Sequence, residues 1–96
     1  MSQNSPQRLG NVLADLVDQY GYRDRLDAAR AVEAWDALAG PAILGVTQQV
    51  WMREGTLFVK VTSSAWRHQL QFQREAWRTR LNDALGREVV REVAFR

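Results

Sequence analysis

The 96-residue chain contains no cysteine, one histidine and two prolines. Without cysteine, neither a disulfide framework nor a thiolate metal site can form, which fits a reducing compartment. One histidine among scattered carboxylates does not supply the clustered ligands that a metal ion needs. The apolar runs are only a few residues long, and no charged segment followed by an apolar one suggests a secretory signal, so we expect a cytoplasmic protein without a membrane contact.

Catalytic motifs are also missing. The sequence has no Walker-type phosphate loop, no G-x-G-x-x-G run and no Ser-His-Asp set that its spacing supports. His68 falls in a predicted helix, where an isolated histidine is more often a surface side chain than a general base. The sequence therefore predicts a protein that is not an enzyme and that has no cofactor and no metal.

The composition is that of a soluble globular protein, with 46% hydrophobic and 25% charged residues. This length suits one domain, and we place it at residues 8–96 after a flexible N-terminus at residues 1–7. The net charge of +2 is unevenly distributed, because residues 1–54 carry five Arg and seven acids whereas residues 55–96 carry eight Lys or Arg and four acids. The second half would attract a polyanion, unless its arginines form ordinary solvated faces.

Two helices are predicted in the first half. The first follows Ser5-Pro6 and ends at Gly21, and its apolar residues recur at helical spacing: Leu9, Val12, Leu13, Leu16, Val17 and Tyr20. The second spans about residues 24–39, and its inward residues should be Leu26, Ala29, Val32, Trp35 and Leu38 or Ala39. Gly40-Pro41 should end it, with Pro41 opening one further turn through Gly45.

The periodicity then changes to that of a β-hairpin. Aliphatic residues alternate on both sides of Glu54-Gly55, and a two-residue turn there pairs Met52 with Leu57 and Val50 with Val59. This register places the aliphatic side chains on one face: Val50, Met52, Leu57, Val59 and Val61. The opposite face then carries Trp51 beside Phe58 and Gln49 beside Lys60, with Arg53 nearby.

A third, long helix is predicted at residues 64–85, capped by Ser63-Ser64 and ended by Gly86. Its core side should hold Trp66, Leu70, Trp77, Leu81 and Ala84, and an arginine stripe beside it should hold Arg67, Arg74 and Arg78. Residues 89–96 read as a last strand, with Val89, Arg91, Val93 and Phe95 on one face and Val90, Glu92 and Ala94 on the other. The order is α-α-β-β-α-β, an α+β fold with the helices packed on one face of a three-stranded sheet. We expect Trp35, Trp66 and Trp77 to be core residues.

Three segments of this order resemble the DciA family of bacterial proteins, formerly a domain of unknown function. They are Trp35 shortly before Gly40-Pro41-Ala42, the segment from Gly55 to Trp66, and Leu81-Asn82 with Leu85-Gly86 leading into Val93-Ala94-Phe95-Arg96. The similarity covers about residues 8–96, and residues 55–70 are its most specific part.

The resemblance implies a KH-like domain that acts with the replicative DNA helicase, of the DnaB type, during loading onto DNA, and some members bind DNA themselves. This sequence stops after the last strand, where longer members carry a basic tail, and without cysteine it has no zinc ribbon. True KH domains clamp nucleic acid with a G-x-x-G loop, which is absent here. We further expect that the third helix runs straight through the position of that loop.

The candidate binding residues are Trp51, Arg53, Phe58 and Lys60 on the outer face of the hairpin, and Arg67, Arg74 and Arg78 on the helix. Aromatic rings flanked by cations can hold single-stranded nucleic acid, but exposed rings mark protein interfaces at least as often. Arg pairs equally well with phosphates and carboxylates, so single- or double-stranded DNA and a protein both remain open as partners. The alternatives to a helicase adaptor are a stand-alone RNA-binding or ribosome-associated domain and a homodimeric structural module, and a monomer is favoured.

Overall fold

In the computed structural model, residues 21–96 are described, and the first predicted helix lies outside them. The described elements are α1 (Tyr22–Leu44), β1 (Thr47–Arg53), β2 (Thr56–Val61), α2 (Ser64–Phe72), α3 (Arg74–Leu85) and β3 (Glu92–Phe95). The sheet order is β1-β2-β3, with β1 antiparallel and β3 parallel to β2. The predicted α+β class, with helices packed against a three-stranded sheet, is confirmed. No helix in this part of the chain is long and apolar enough to span a membrane.

Helix α1 has the predicted break at Gly40, which adopts φ 84° and ψ 167°, and Pro41 opens the last turn. Its fully buried residues are Ala31, Trp35 and Ala39, which lie four positions apart on one side of the helix. The prediction that Leu26 and Ala29 face inward is wrong, because Leu26 is 41% exposed and Ala29 is also exposed. Leu26 lies nine residues before Trp35, which at 100° per residue is the opposite side of the helix.

The hairpin has the predicted register, with Met52 opposite Leu57, Val50 opposite Val59 and Trp51 opposite Phe58. Glu54 and Gly55 both have positive φ, 51° and 84°, as the two central residues of a type I′ turn require. The hairpin is buried on one face, as predicted, because Leu57, Val59 and Val61 are buried on the core side, where Val50 and Met52 are half-buried. A bulge between Thr47 and Gln49 interrupts the register at the start of β1.

The predicted single helix at residues 64–85 is wrong, because the chain breaks at Gln73 with φ −99° and ψ 13°. No glycine or proline marks this break in the sequence. Beside the break, Leu70 is buried and Gln71 Oε1 accepts a hydrogen bond from the Phe95 N–H at 3.1 Å. The predicted cap at Ser63 is present, since its side chain accepts from the Trp66 N–H. The third helix therefore does not run straight through the loop position, contrary to the prediction, although the sequence has no G-x-x-G.

The last strand is shorter than predicted, because β3 covers only Glu92–Phe95. Val93 and Phe95 share one face, as predicted, and that face lies on the core side, but Val90 is fully buried although the sequence placed it on the face opposite to them. Residues 89–91 are not extended strand, so the two-residue alternation does not apply to them.

The core lies between the sheet and the helices. Trp35 lies at its centre. The centroid of its ring is 4.6 Å from the Trp77 ring centroid and 5.7 Å from the Phe95 ring centroid. Trp35 and Trp77 are buried as predicted, whereas Trp66 is only half-buried. The prediction that Ala84 faces the core is wrong, because it is exposed on α3. All helix packing in the described chain is on this side, which leaves the other face of the sheet open.

Candidate nucleic-acid or partner interface

The open face of the sheet brings together four of the residues selected from the sequence. Trp51 and Arg53 alternate along β1, and Phe58 and Lys60 alternate along β2, with Trp51 directly opposite Phe58 and Gln49 opposite Lys60. A fifth residue, Arg96, joins them from the end of β3. We call these residues the outer-face cradle: Trp51, Arg53, Phe58, Lys60 and Arg96 line one shallow depression of about 450 Å³.

The aromatic rings of the cradle are ordered across the sheet. Trp51 and Phe58 stack with ring centroids 5.3 Å apart and an interplanar angle of 13°. The guanidinium carbon of Arg96 lies 5.2 Å from the Phe58 ring centroid. Arginine, phenylalanine and tryptophan thus follow one another over the three strands, and the favourable interaction of the cation with the ring helps to hold Arg96 in place.

Arg96 was not selected from the sequence, although a signal for it was present. Phe95 faces the core, so alternation places residue 96 on the outer face. The decisive information was the pairing of β3 with β2, where Val59 lies opposite Phe95. The backbone of Arg96 continues this ladder by donating to the Val59 carbonyl oxygen and accepting from the Val61 N–H. A parallel neighbour is not fixed by local pattern, so its cation could not be placed.

The cradle is electropositive and partly apolar. Its lining includes three cationic side chains and no Asp or Glu. Trp51 and Phe58 are half-buried, while Arg53, Lys60 and Arg96 are exposed. This arrangement can stack a planar group on an aromatic ring while neighbouring cations meet phosphate or carboxylate oxygens.

The break at Gln73 places the three predicted arginines on two helices, with Arg67 on α2 and with Arg74 and Arg78 on α3. Arg67 is half-buried, and its Nη2 donates to the Val61 carbonyl oxygen at 3.0 Å. Its Nε is buried with no hydrogen-bond partner in the described part of the chain. The structure therefore gives Arg67 a packing position between α2 and the end of β2.

The other two arginines differ in their partners. Arg74 is exposed, and its Nη1 donates to the Gln71 carbonyl oxygen at 3.1 Å. Arg78 pairs with Glu75 at 2.9 Å and with Glu88 at 3.3 Å. The hydrogen bond and the charge of Glu75 raise the pKa of Arg78 above its ordinary value, and the charge of Glu88 acts in the same direction. Arg78 is thus already neutralised by carboxylates.

A second depression, of about 490 Å³, lies between the start of α1, the hairpin turn and residues 87–91. Its lining mixes both signs of charge, and Asp27 is paired there with Arg87. Within residues 21–96, no group of three or more His, Cys, Asp or Glu side chains could hold a metal ion. Of these two depressions, the cradle is therefore the better candidate site for an anionic ligand.

The sequence matches a known protein family over nearly its whole length. The family model described as Dna[CI] antecedent, DciA, matches residues 8–95. The chain belongs to the DciA family. The resemblance found in the sequence is thereby confirmed, and membership links this DciA-family protein to bacterial DNA replication.

Curated relatives support the assignment. The DciA-family chain is 27% identical over 88 residues to a UPF0232 protein of Mycobacterium tuberculosis, an alignment that covers 92% of this chain and 47% of the relative. It is 29% identical over 85 residues to a UPF0232 protein of Mycobacterium leprae, covering 88% and 45% respectively. The chain thus spans about half the length of the curated relatives it matches.

Proposed function

We propose that this DciA-family domain is a non-enzymatic adaptor that binds the replicative DNA helicase, of the DnaB type, and assists its loading in the cytoplasm, and that the outer-face cradle contacts single-stranded DNA. The observation that carries the helicase role is the family match over residues 8–95. The observation that supports the DNA contact is the stacked Trp51 and Phe58 pair among three cations.

The chemistry of the cradle suits a single strand better than a duplex. Bases of a single strand are free to stack on an aromatic ring, whereas those of a duplex are already stacked on each other. Arg53, Lys60 and Arg96 surround the rings, and no Asp or Glu lines the depression, so the side chains that line it attract phosphates. The cradle lies away from the packed helices, so binding there does not require the core to open.

The helicase role is tested by co-sedimentation of the purified chain with the replicative helicase of the same organism. We expect a stable complex, and its absence over a range of salt concentrations would contradict the proposal. Since the partner surface was predicted to include Arg74 and Arg78, their charge-reversal variants belong in the same experiment. Arg30→Glu is a matched control, because Arg30 is also an exposed arginine but lies on α1.

The DNA contact is tested separately by fluorescence anisotropy with a labelled oligothymidylate. Trp51→Ala should weaken binding by about 1 to 3 kcal/mol if a base stacks on the ring. Leu26→Ala, which removes an exposed side chain on α1, should leave affinity unchanged. If Trp51→Ala binds as the parent does, the cradle is not a stacking site. Tighter binding of an RNA oligomer would instead favour the RNA-binding alternative.

A further inference from the structure

The two edges of the sheet are closed to different extents. At the β3 edge, Gln71 Oε1 accepts a hydrogen bond from the Phe95 N–H, which faces away from β2. At the β1 edge, no backbone hydrogen bond within residues 21–96 connects Val50 or Met52 to a helix, turn or loop. The described chain therefore protects one edge and leaves the other available.

The hairpin register determines which backbone groups are available at β1. A two-residue turn makes Arg53 and Thr56 a hydrogen-bonded pair, and such pairs alternate along an antiparallel ladder. Trp51 is then bonded to Phe58, whereas Val50 and Met52 direct their N–H and C=O groups away from β2. The bulge between Thr47 and Gln49 limits the regular open edge to residues 49–53, with Trp51 at the centre.

We propose that a second copy of this chain pairs with β1 in antiparallel orientation, with the Trp51 residues of the two copies facing each other across the two-fold axis. Residues 49–53 read Gln-Val-Trp-Met-Arg, a polar, aliphatic, aromatic, aliphatic, polar order that is the same in both directions. In this register Val50 lies opposite the second copy's Met52, which gives about four new backbone hydrogen bonds. The sequence favoured a monomer, so this inference departs from that expectation.

The side chains are compatible with this pairing on both faces. The aliphatic Val50 and Met52 meet on the core side, where both are half-buried in one copy. The two Trp51 rings meet at a pair without direct hydrogen bonds, the position where cross-strand side chains approach most closely. Arg53, the one charged residue of β1, lies beside the second copy's Gln49 and not beside itself. No proline or lysine in β1 opposes the addition of a strand.

Pairing would join the two outer-face cradles into one surface. The aromatic row of Phe58 and Trp51 would continue directly into the same row of the second copy, with three cations on each side. A polyanion that reaches both cradles would then stabilise the dimer, because it neutralises charges of the same sign. This geometry is independent of helicase binding.

A single-cysteine cross-link tests the register, since the chain has no cysteine of its own. In the proposed dimer, Trp51→Cys places two Cα atoms about 4.5 Å apart, within the range that a disulfide spans. The matched control is Gln49→Cys, on the same strand and face. Its two copies lie about 13 Å apart along the ladder, too far for a bond. We expect the Trp51→Cys chain to form a covalent dimer at least tenfold faster under mild oxidation, and equal rates would overturn the proposal.

A second variant keeps the test valid if the loss of Trp51 itself weakens the pairing. Val50→Pro removes an N–H that faces away from β2, so it deletes bonds between copies and leaves the hairpin ladder intact. Val50→Ala is its control, because it shortens the same side chain but keeps the N–H. In sedimentation equilibrium, Val50→Pro should weaken self-association at least tenfold relative to Val50→Ala, with circular dichroism showing both folded. Equal self-association of the two variants, or a parent that stays monomeric up to millimolar concentration, would overturn the proposal. Helicase co-sedimentation would be unaffected by that result.

Discussion

The side chain of Asn82 holds both polar groups of Val90: its Oδ1 accepts from the Val90 N–H at 2.8 Å, and its Nδ2 donates to the Val90 carbonyl oxygen at 2.8 Å. Oδ1 also accepts from the Val89 N–H at 3.0 Å. One amide on α3 thus satisfies the backbone of the buried segment that leads into β3. The position of Arg96 in the cradle depends on β3, so Asn82 supports the candidate site indirectly.

We predict that Asn82→Ala destabilises the protein by about 1 to 3 kcal/mol, because it leaves buried backbone groups without partners. Urea denaturation measures the change. Asn82→Asp keeps the acceptor for both N–H groups but places a carboxylate oxygen against the Val90 carbonyl oxygen in place of the donor, so it should also destabilise the protein. If both variants unfold at the parent's midpoint, water must form hydrogen bonds with the Val89 and Val90 backbone groups as favourably as Asn82 does.

A substitution at Val59 tests whether the hairpin is buried on one face. Val59 is fully buried on the core side of β2, so Val59→Ala should lower the free energy of unfolding by about 1 to 2.5 kcal/mol through lost methyl burial. Lys60→Ala is the control on the other face of the same strand, and it should change stability by no more than about 0.5 kcal/mol because Lys60 is exposed. A loss below about 0.5 kcal/mol for Val59→Ala would contradict its place in the core.

Arg67 and Arg74 should contribute differently to stability. Arg67→Glu should destabilise the fold, since Arg67 is half-buried and donates to the Val61 carbonyl oxygen, and a charge-bearing bond of this kind contributes about 1.5 to 3 kcal/mol. Arg74→Glu should remain within about 0.5 kcal/mol of the parent, because Arg74 is exposed. Thermal unfolding of the two single variants, under the same buffer conditions, distinguishes them. Equal stability would mean that the Arg67 contact contributes nothing net.

The hairpin and its outer face were predictable from sequence because both depend on local information. Two-residue alternation and the Glu54-Gly55 turn together determine which side chains share a face. The break at Gln73 was not predictable in this way, since helix propensity continues through it and the interruption accompanies a contact with Phe95, which lies 24 positions away in the chain. Arg96 was missed for the same kind of reason, because its place in the cradle follows from a parallel pairing between distant segments. Local patterns determined the aromatic pair, whereas tertiary contacts determined which cations surround it.

The salt dependence of DNA affinity provides the most specific test of the cradle. Each phosphate that a cation neutralises on a single strand contributes a slope of about −0.7 to log affinity against log salt concentration. The triple variant Arg53→Ala, Lys60→Ala and Arg96→Ala should therefore reduce the slope by about 2 if all three cations contact phosphates.

The matched control is a second triple variant, Arg23→Ala, Arg25→Ala and Arg30→Ala. These arginines are exposed on α1, and replacing them removes the same total charge as the cradle variant. Their combined variant should leave the slope nearly unchanged. Measuring both variants at the same protein concentration separates a contact at the cradle from a general effect of net charge. An equal reduction in slope for the two variants would show that DNA affinity depends on the overall charge of the protein. That result would contradict the assignment of the cradle as the DNA-binding site.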